Sequence, residues 1–158
     1  MKEEQKSFMK MAIELSLSGM ESGKGGPFGC VIVKDGKVIG LGSNSVLETN
    51  DPTAHAEIVA IRDACKNLGN FQLDGCEVYT SCEPCPMCLG AIYWARPDKV
   101  FYANTKKDAA EAGFDDHFIY KELELPLQSR KIPFDQILQG EAQKVLKEWA
   151  LKENKTLY

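Results

Sequence analysis

No apolar run in the sequence approaches the length of a membrane span, so no membrane partner is expected. Internal repeats and low-complexity tracts are absent as well, which sets aside repeat architectures and linker-like segments. The charged start, Met1-Lys2-Glu3-Glu4-Gln5-Lys6, is not followed by a signal-peptide core, so the expected location is the cytoplasm. Positive charge is in short supply: 19 Lys and Arg against 23 Asp and Glu give a net charge of −4. That balance argues against an electrostatic hold on nucleic acid, although an acidic chain can still carry a local basic patch. What is present is ordinary for a soluble globular protein: 158 residues, 44% hydrophobic and 27% charged. This is one domain's worth of chain, 1–158, long enough for a sizeable core.

Patterning supplies the elements in order. Residues 3–21 read as an amphipathic helix with Phe8, Met11, Ala12, Leu15 and Met20 roughly on one face. Gly23-Lys24-Gly25-Gly26-Pro27 breaks it, and Phe28 to Val33 reads as a strong strand. Asp35-Gly36 is a hairpin-turn signal, followed by a partner strand from Lys37 to Asn44 whose Gly40 and Gly42 suggest a bulge. Ser45 to Asn50 reads as a polar loop. A helix from about Ala54 to Asn67, capped by Asp51 or Thr53, carries the stripe Ile58, Ile61, Ala64, Cys65 and Leu68 and ends at Gly69. Glu77 to Thr80 is a short strand, a helix then runs to about Trp94, and Lys99 to Ala103 is a further strand. Asp116 to Leu123 reads as a short helix and Ile132-Pro133-Phe134 as extended. A last helix, capped by Asp135 and running to about Lys152, places Leu138, Ala142, Val145 and Trp149 at core spacing, and Trp94 also reads as core. The order α-β-β-α-β-α-β implies an α/β fold, one sheet covered by helices.

The chemistry concentrates in Pro84-Cys85-Pro86-Met87-Cys88. Two cysteines at i, i+3 share one face of a helix's first turn, where free N–H groups and the helix dipole favour thiolate. A third ligand is available upstream in His55-Ala56-Glu57. One imidazole and two thiolates suit Zn²⁺ and leave a fourth position for water. Glu57, beside the ligands without needing to ligate, is placed to move that water's proton. His-x-Glu with a later Pro-Cys-x-x-Cys is the known signature of zinc deaminases. Cys82 permits two other readings. With His55, Cys85 and Cys88 it could close a structural Cys₃His cage, which leaves Glu57 without a task. Cys82-x-x-Cys85-x-x-Cys88 also resembles part of an iron–sulfur run, but no fourth cysteine follows at the expected spacing. Cys30, Cys65 and Cys76 read as small apolar packing groups.

Thr53-Ala54-His55-Ala56-Glu57 and Thr80-Ser81-Cys82-Glu83-Pro84-Cys85-Pro86-Met87-Cys88 resemble the cytidine deaminase superfamily. That resemblance implies a three-layer α/β/α sandwich around a mixed five-stranded sheet. Within the superfamily, Gly25-Gly26-Pro27-Phe28-Gly29, Asn50-Asp51-Pro52-Thr53, the run from Gly90 to Arg96, the run from Asp108 to Asp116, and Phe118 to Glu122 are similar to the bacterial guanine deaminases. The likeness extends from about Phe8 to Tyr158 and is strongest from Asn50 to Phe134. It implies hydrolysis of guanine to xanthine and ammonia, with one zinc per chain held by His55, Cys85 and Cys88 and protons moved by Glu57. It further implies that Phe28 stacks on the purine, Asn44 hydrogen-bonds its ring, and Asp116 receives the departing amino group. Tyr158 would close the pocket from a C-terminal segment, about 132–158, exchanged between the subunits of a homodimer. Without the resemblance, Phe28 reads as core, Asn44 as a turn residue, Asp116 as a helix cap and Tyr158 as a frayed end. The rival functions are deamination of another base, free or in tRNA, and a zinc-stabilised binding module without catalysis.

Overall fold

Four strands form one mixed sheet in the order β2-β1-β3-β4 in the computed structural model, which describes residues 2–158. They are β1 (Gly29–Lys34), β2 (Lys37–Ser43), β3 (Cys76–Cys82) and β4 (Lys99–Asn104). β1 pairs antiparallel with both β2 and β3, whereas β3 and β4 run parallel. The hairpin turns on Asp35 and Gly36, both at positive φ, the conformation that a two-residue turn matched to strand twist requires. The bulge anticipated from the glycines is present: Ile32 faces Gly40 but Val33 faces Val38, leaving Ile39 as the extra residue.

Helices cover both faces of the sheet. α1 (Glu3–Glu21) buries Ala12, with Phe8, Met11 and Leu15 half-buried around Val31, Val33 and Tyr79; Met20 lies off this face and is exposed. Tyr79 stacks on Phe101 at 4.8 Å and tilts against Phe8 at 5.4 Å, contacts worth about 0.5–1.5 kcal/mol each. On the opposite face lie α3 (Ala56–Leu68) and α4 (Pro86–Ala95), with Ala56, Ala60, Ala64 and Ala95 packed on Cys30, Ile32, Cys76 and Val78. α3 settles directly on β2 because that strand has no side chains where they meet. A Cβ at Gly42 would stand 2.1 Å from the Ala56 carbonyl oxygen, and one at Gly40 2.6 Å from that of Ala60. Parallel β3 and β4 need a crossover, and α4 supplies it.

Several local expectations are corrected. The stretch after β2 forms a short helix, α2 (Val46–Thr49), instead of a loop throughout. Neither Asp51 nor Thr53 caps α3: the N-cap is His55, and Asp51 accepts from the Thr53 N–H and hydroxyl at 2.8 and 2.7 Å, closing a local turn. The sheet has four strands where five were expected, because the chain beyond β4 turns helical. Thr105 and Asp108 form a capping box that starts α5 (Lys106–Glu111), and α6 (His117–Glu124) follows. Trp94 is 64% exposed and does not belong to the core.

The chain divides at Asp116 into two compact units. The second, His117–Tyr158, holds α6, a 3₁₀ turn (Leu127–Ser129) and α7 (Gln139–Leu151). Within it the Lys131 N–H donates to the Glu122 carboxylate at 2.8 Å, and the Arg130 guanidinium lies over the Phe134 ring. α7 starts three residues later than an Asp135 cap would place it, at the N-cap Leu138 in the left-handed conformation. Its apolar residues are not core: α7 has no buried residue, and Leu138, Val145 and Trp149 are all exposed.

Candidate active site

Two helix starts meet at the carboxyl end of β3. His55 is the N-cap of α3 and Cys85 the N-cap of α4, and neither spends its side chain on capping. Pro86 at the first position of α4 gives up an N–H that had no partner to lose. Cys88, three residues past Cys85, turns to the same side and is buried. The ligand atoms of His55, Cys85 and Cys88 all lie within 4.8 Å of one another, and His55 Nδ1 is 3.5 Å from each sulfur. Zinc bonds of about 2.1 Å to nitrogen and about 2.3 Å to sulfur, at a tetrahedral angle, place those atoms about 3.6 Å apart. The spacing therefore fits Zn²⁺.

Electrostatics agree with the geometry. The Cys85 thiol is drawn down to about 4, first by its hydrogen bond with Cys88 and then, against burial, by His55. Cys88 is pushed far up, first by that same bond and then by burial. The opposite shifts arise from two close sulfurs that disfavour a second negative charge, a condition a bound cation would relieve. The His55 imidazole is raised, chiefly by the hydrogen bond to Cys85. Cys82 does not join this group: its sulfur lies 3.6 Å from the Thr105 carbonyl, and burial, then the Glu57 charge, push its thiol up to about 11. A closed Cys₃His cage is not what the fold builds.

Glu57 sits in the first turn of α3 and is only 6% exposed. Burial is the main cause of its raised pKa, with the Cys85 charge adding to it and the hydrogen bond with Cys88 opposing. Beneath it lie Cys30 and Thr80, paired across β1 and β3. Burial raises the Cys30 thiol well above the usual range, and the Glu57 charge adds to that. The Thr80 hydroxyl donates to Glu57 Oε1 at 3.3 Å.

The expected substrate residues divide. Phe28 is half-buried against the core, and its ring meets Phe114 edge-on, centroids 4.9 Å apart at 87°. Asn44 is buried, and its Oδ1 accepts from the Gly26 and Val46 N–H groups at 3.3 and 3.2 Å. The amide's acceptor is thus engaged by backbone, which leaves Nδ2 as the group it offers. Asp116 is half-buried, with its carboxyl raised mainly by burial and next by the Cys85 charge, so it lies within electrostatic reach of the thiolates. Tyr158 belongs to the second unit and is 68% exposed there. Sequence reasoning missed Phe114 and Thr80. Phe114 sits in an aperiodic loop after Gly113, where the only signal was a run of motif residues. Thr80 was visible only as a polar residue on a strand whose neighbours on that face are apolar.

A mixed sheet between helical layers, with an imidazole and two thiolates converging beside a buried carboxylate, defines the class of zinc-dependent deaminase folds. Residues 2–104 match the cytidine and deoxycytidylate deaminase zinc-binding region, and the chain belongs to that family. It is 59% identical to a guanine deaminase of Bacillus subtilis over 96% of this chain and 97% of the relative. An X-ray structure of guanine deaminase from Bacillus subtilis superposes with a TM-score of 0.95 at 57% identity, covering 100% of this chain and 99% of that one. A tRNA-specific adenosine deaminase of Aquifex aeolicus is 36% identical over 92% of this chain and 93% of its own length.

Proposed function

We propose that the protein is a zinc-dependent aminohydrolase that converts guanine and water to xanthine and ammonia. The observation that carries this reading is the convergence of His55, Cys85 and Cys88 beside buried Glu57, in a chain 59% identical to a guanine deaminase. His55, Cys85 and Cys88 would hold the metal, which when bound supplies Lewis-acid activation of water. Glu57, whose pKa is raised chiefly by burial, takes a proton from the attacking water and passes it to the ring nitrogen next to the amino-bearing carbon. Asp116 accepts hydrogen bonds from the amino group, and Glu57 carries the water's second proton to it, so that it departs as ammonia. Phe28 offers a flat face to the purine, held in orientation by the edge of Phe114. Asn44 donates from Nδ2 to an acceptor on the ring, since its Oδ1 is engaged by backbone.

The proposal extends to assembly. The exposed Val145, Leu146 and Trp149 of α7 share one side of the helix, an apolar face of the kind a partner covers, and exchange of a terminal element is a low-cost route to a symmetric dimer. We read the protein as a cytoplasmic homodimer of single-domain chains, with about 132–158 exchanged and Tyr158 closing the partner's pocket; the six free cysteines suit a reducing compartment. Ammonia release should be measured across guanine, cytosine, cytidine, adenine and tRNA. Guanine is expected to react well and the others poorly; inosine formation in tRNA with guanine untouched would overturn the assignment. For the exchange, a Glu57→Gln chain and a chain lacking its last residues should be refolded together. Mixed dimers that recover activity support the exchanged segment, and mixed dimers without activity, where truncation alone abolishes it, would place Tyr158 in its own chain's site.

A further inference from the structure

We propose that Thr80 is a positioning residue for the Glu57 carboxylate; the inference rests on Glu57 being the proton carrier. Thr80 stands on the face of β3 that turns towards α3, in line with Cys76 and Val78 and across from Cys30, all apolar packing positions. It is only 1% exposed. Valine has nearly the same shape and would suit such a face without a polar atom to satisfy. The hydroxyl is satisfied, and its partner is Glu57 Oε1 at 3.3 Å.

The need for such a bond follows from the side chain it holds. The terminal torsion of glutamate has no sharp staggered minima, so a carboxylate held only by its stem turns over a broad range. Fixing one oxygen aims the other. A proton carrier must meet a water's proton and then a ring nitrogen, and small losses of aim at such a group cost much of the rate. A hydroxyl suits this task through the whole cycle. It donates to the ionised carboxylate, and by rotating its hydrogen it accepts from the carboxylic acid formed when Glu57 holds the proton. A single amide atom can only donate or only accept, and an ammonium would add a charge. The proton Glu57 takes from water is the one it delivers to the ring, and Thr80 itself neither gains nor loses one.

The test compares Thr80→Val, which keeps the shape and removes the hydroxyl, with Thr80→Ser, which keeps the hydroxyl. Each is assayed for bound zinc, thermal midpoint, KM, and single-turnover rate with guanine, so that product release cannot mask the chemical step. Thr80→Val is expected to keep its zinc and its midpoint, hold KM within about twofold, and lose about tenfold or more in single-turnover rate. Thr80→Ser is expected to stay within about threefold of the parent rate while losing some thermal stability with the buried methyl. A Thr80→Val protein that turns over at the parent rate overturns the proposal. So does a Thr80→Ser protein as slow as Thr80→Val, or a Thr80→Val protein that loses its fold or its zinc, because the residue is then structural. Glu57→Gln run alongside separates the two ideas. If it retains activity, the reading of Glu57 fails; if it is inactive while Thr80→Val runs at the parent rate, only the role of Thr80 fails.

Discussion

Helices α3 and α7 are each 13 residues long and each amphipathic, yet they meet opposite fates. α3 buries Ala56, Glu57, Ala60 and Ala64, and α7 buries nothing. The difference lies in what faces them. α3 presents small residues to a strand with glycines at the contact, so two backbones come together and a short helix is held firmly enough to carry His55 and Glu57. The apolar residues of α7 are large, Val145, Leu146, Trp149 and Leu151, and all remain exposed. Amphipathic spacing states that a face is to be covered; it does not say by what. The buried Glu57 carboxylate stands on the helix whose cover is built into its own unit.

This contrast can be tested from the largest effect down. Glu57→Gln keeps the shape of α3 and removes only the carboxylate proposed to carry protons. Turnover should fall by about 10²–10⁴-fold with zinc retained, measured by guanine consumption and metal analysis; Cys88→Ala should lose both zinc and activity. Gly42→Ala attacks the seat of α3, because the added Cβ would stand 2.1 Å from the Ala56 carbonyl, between His55 and Glu57 in sequence. It should destabilise by about 1–3 kcal/mol in denaturant melts and lower activity along with stability. Unchanged stability would show that α3 does not depend on close approach to β2. Phe114→Leu removes the ring edge that steadies Phe28, a contact of about 0.5–1.5 kcal/mol. It should raise KM for guanine by about twofold to tenfold while leaving zinc in place, and an unchanged KM would remove Phe114 from the site. Gly140→Ala is the mirror of the Gly42 change. Nothing lies within 4 Å of the added Cβ, so α7 should gain about 0.5–1 kcal/mol from its better helix former, read as a small rise in thermal midpoint.

The donor set and its order were legible in the residues alone. Two cysteines one helical turn apart behind a proline, and a histidine two residues before a glutamate, are local patterns, and their chemistry follows from residue type and spacing. The strands and the Asp35-Gly36 turn were legible for the same reason, since alternation and positive-φ preference act over a few residues. The caps were not. Asp51 and Asp135 are good capping residues, but α3 starts where β2 and the site place His55, and α7 starts beyond Asp135, at Leu138. The contacts of Thr80, Phe114 and the Asn44 amide are set by the folded chain, because each depends on a partner 18 or more residues away. Those partners are Glu57, Phe28 and the Gly26 N–H. A hydroxyl, a ring edge or an amide nitrogen acquires a function only when folding places another group at contact distance, and no local pattern encodes which group that is.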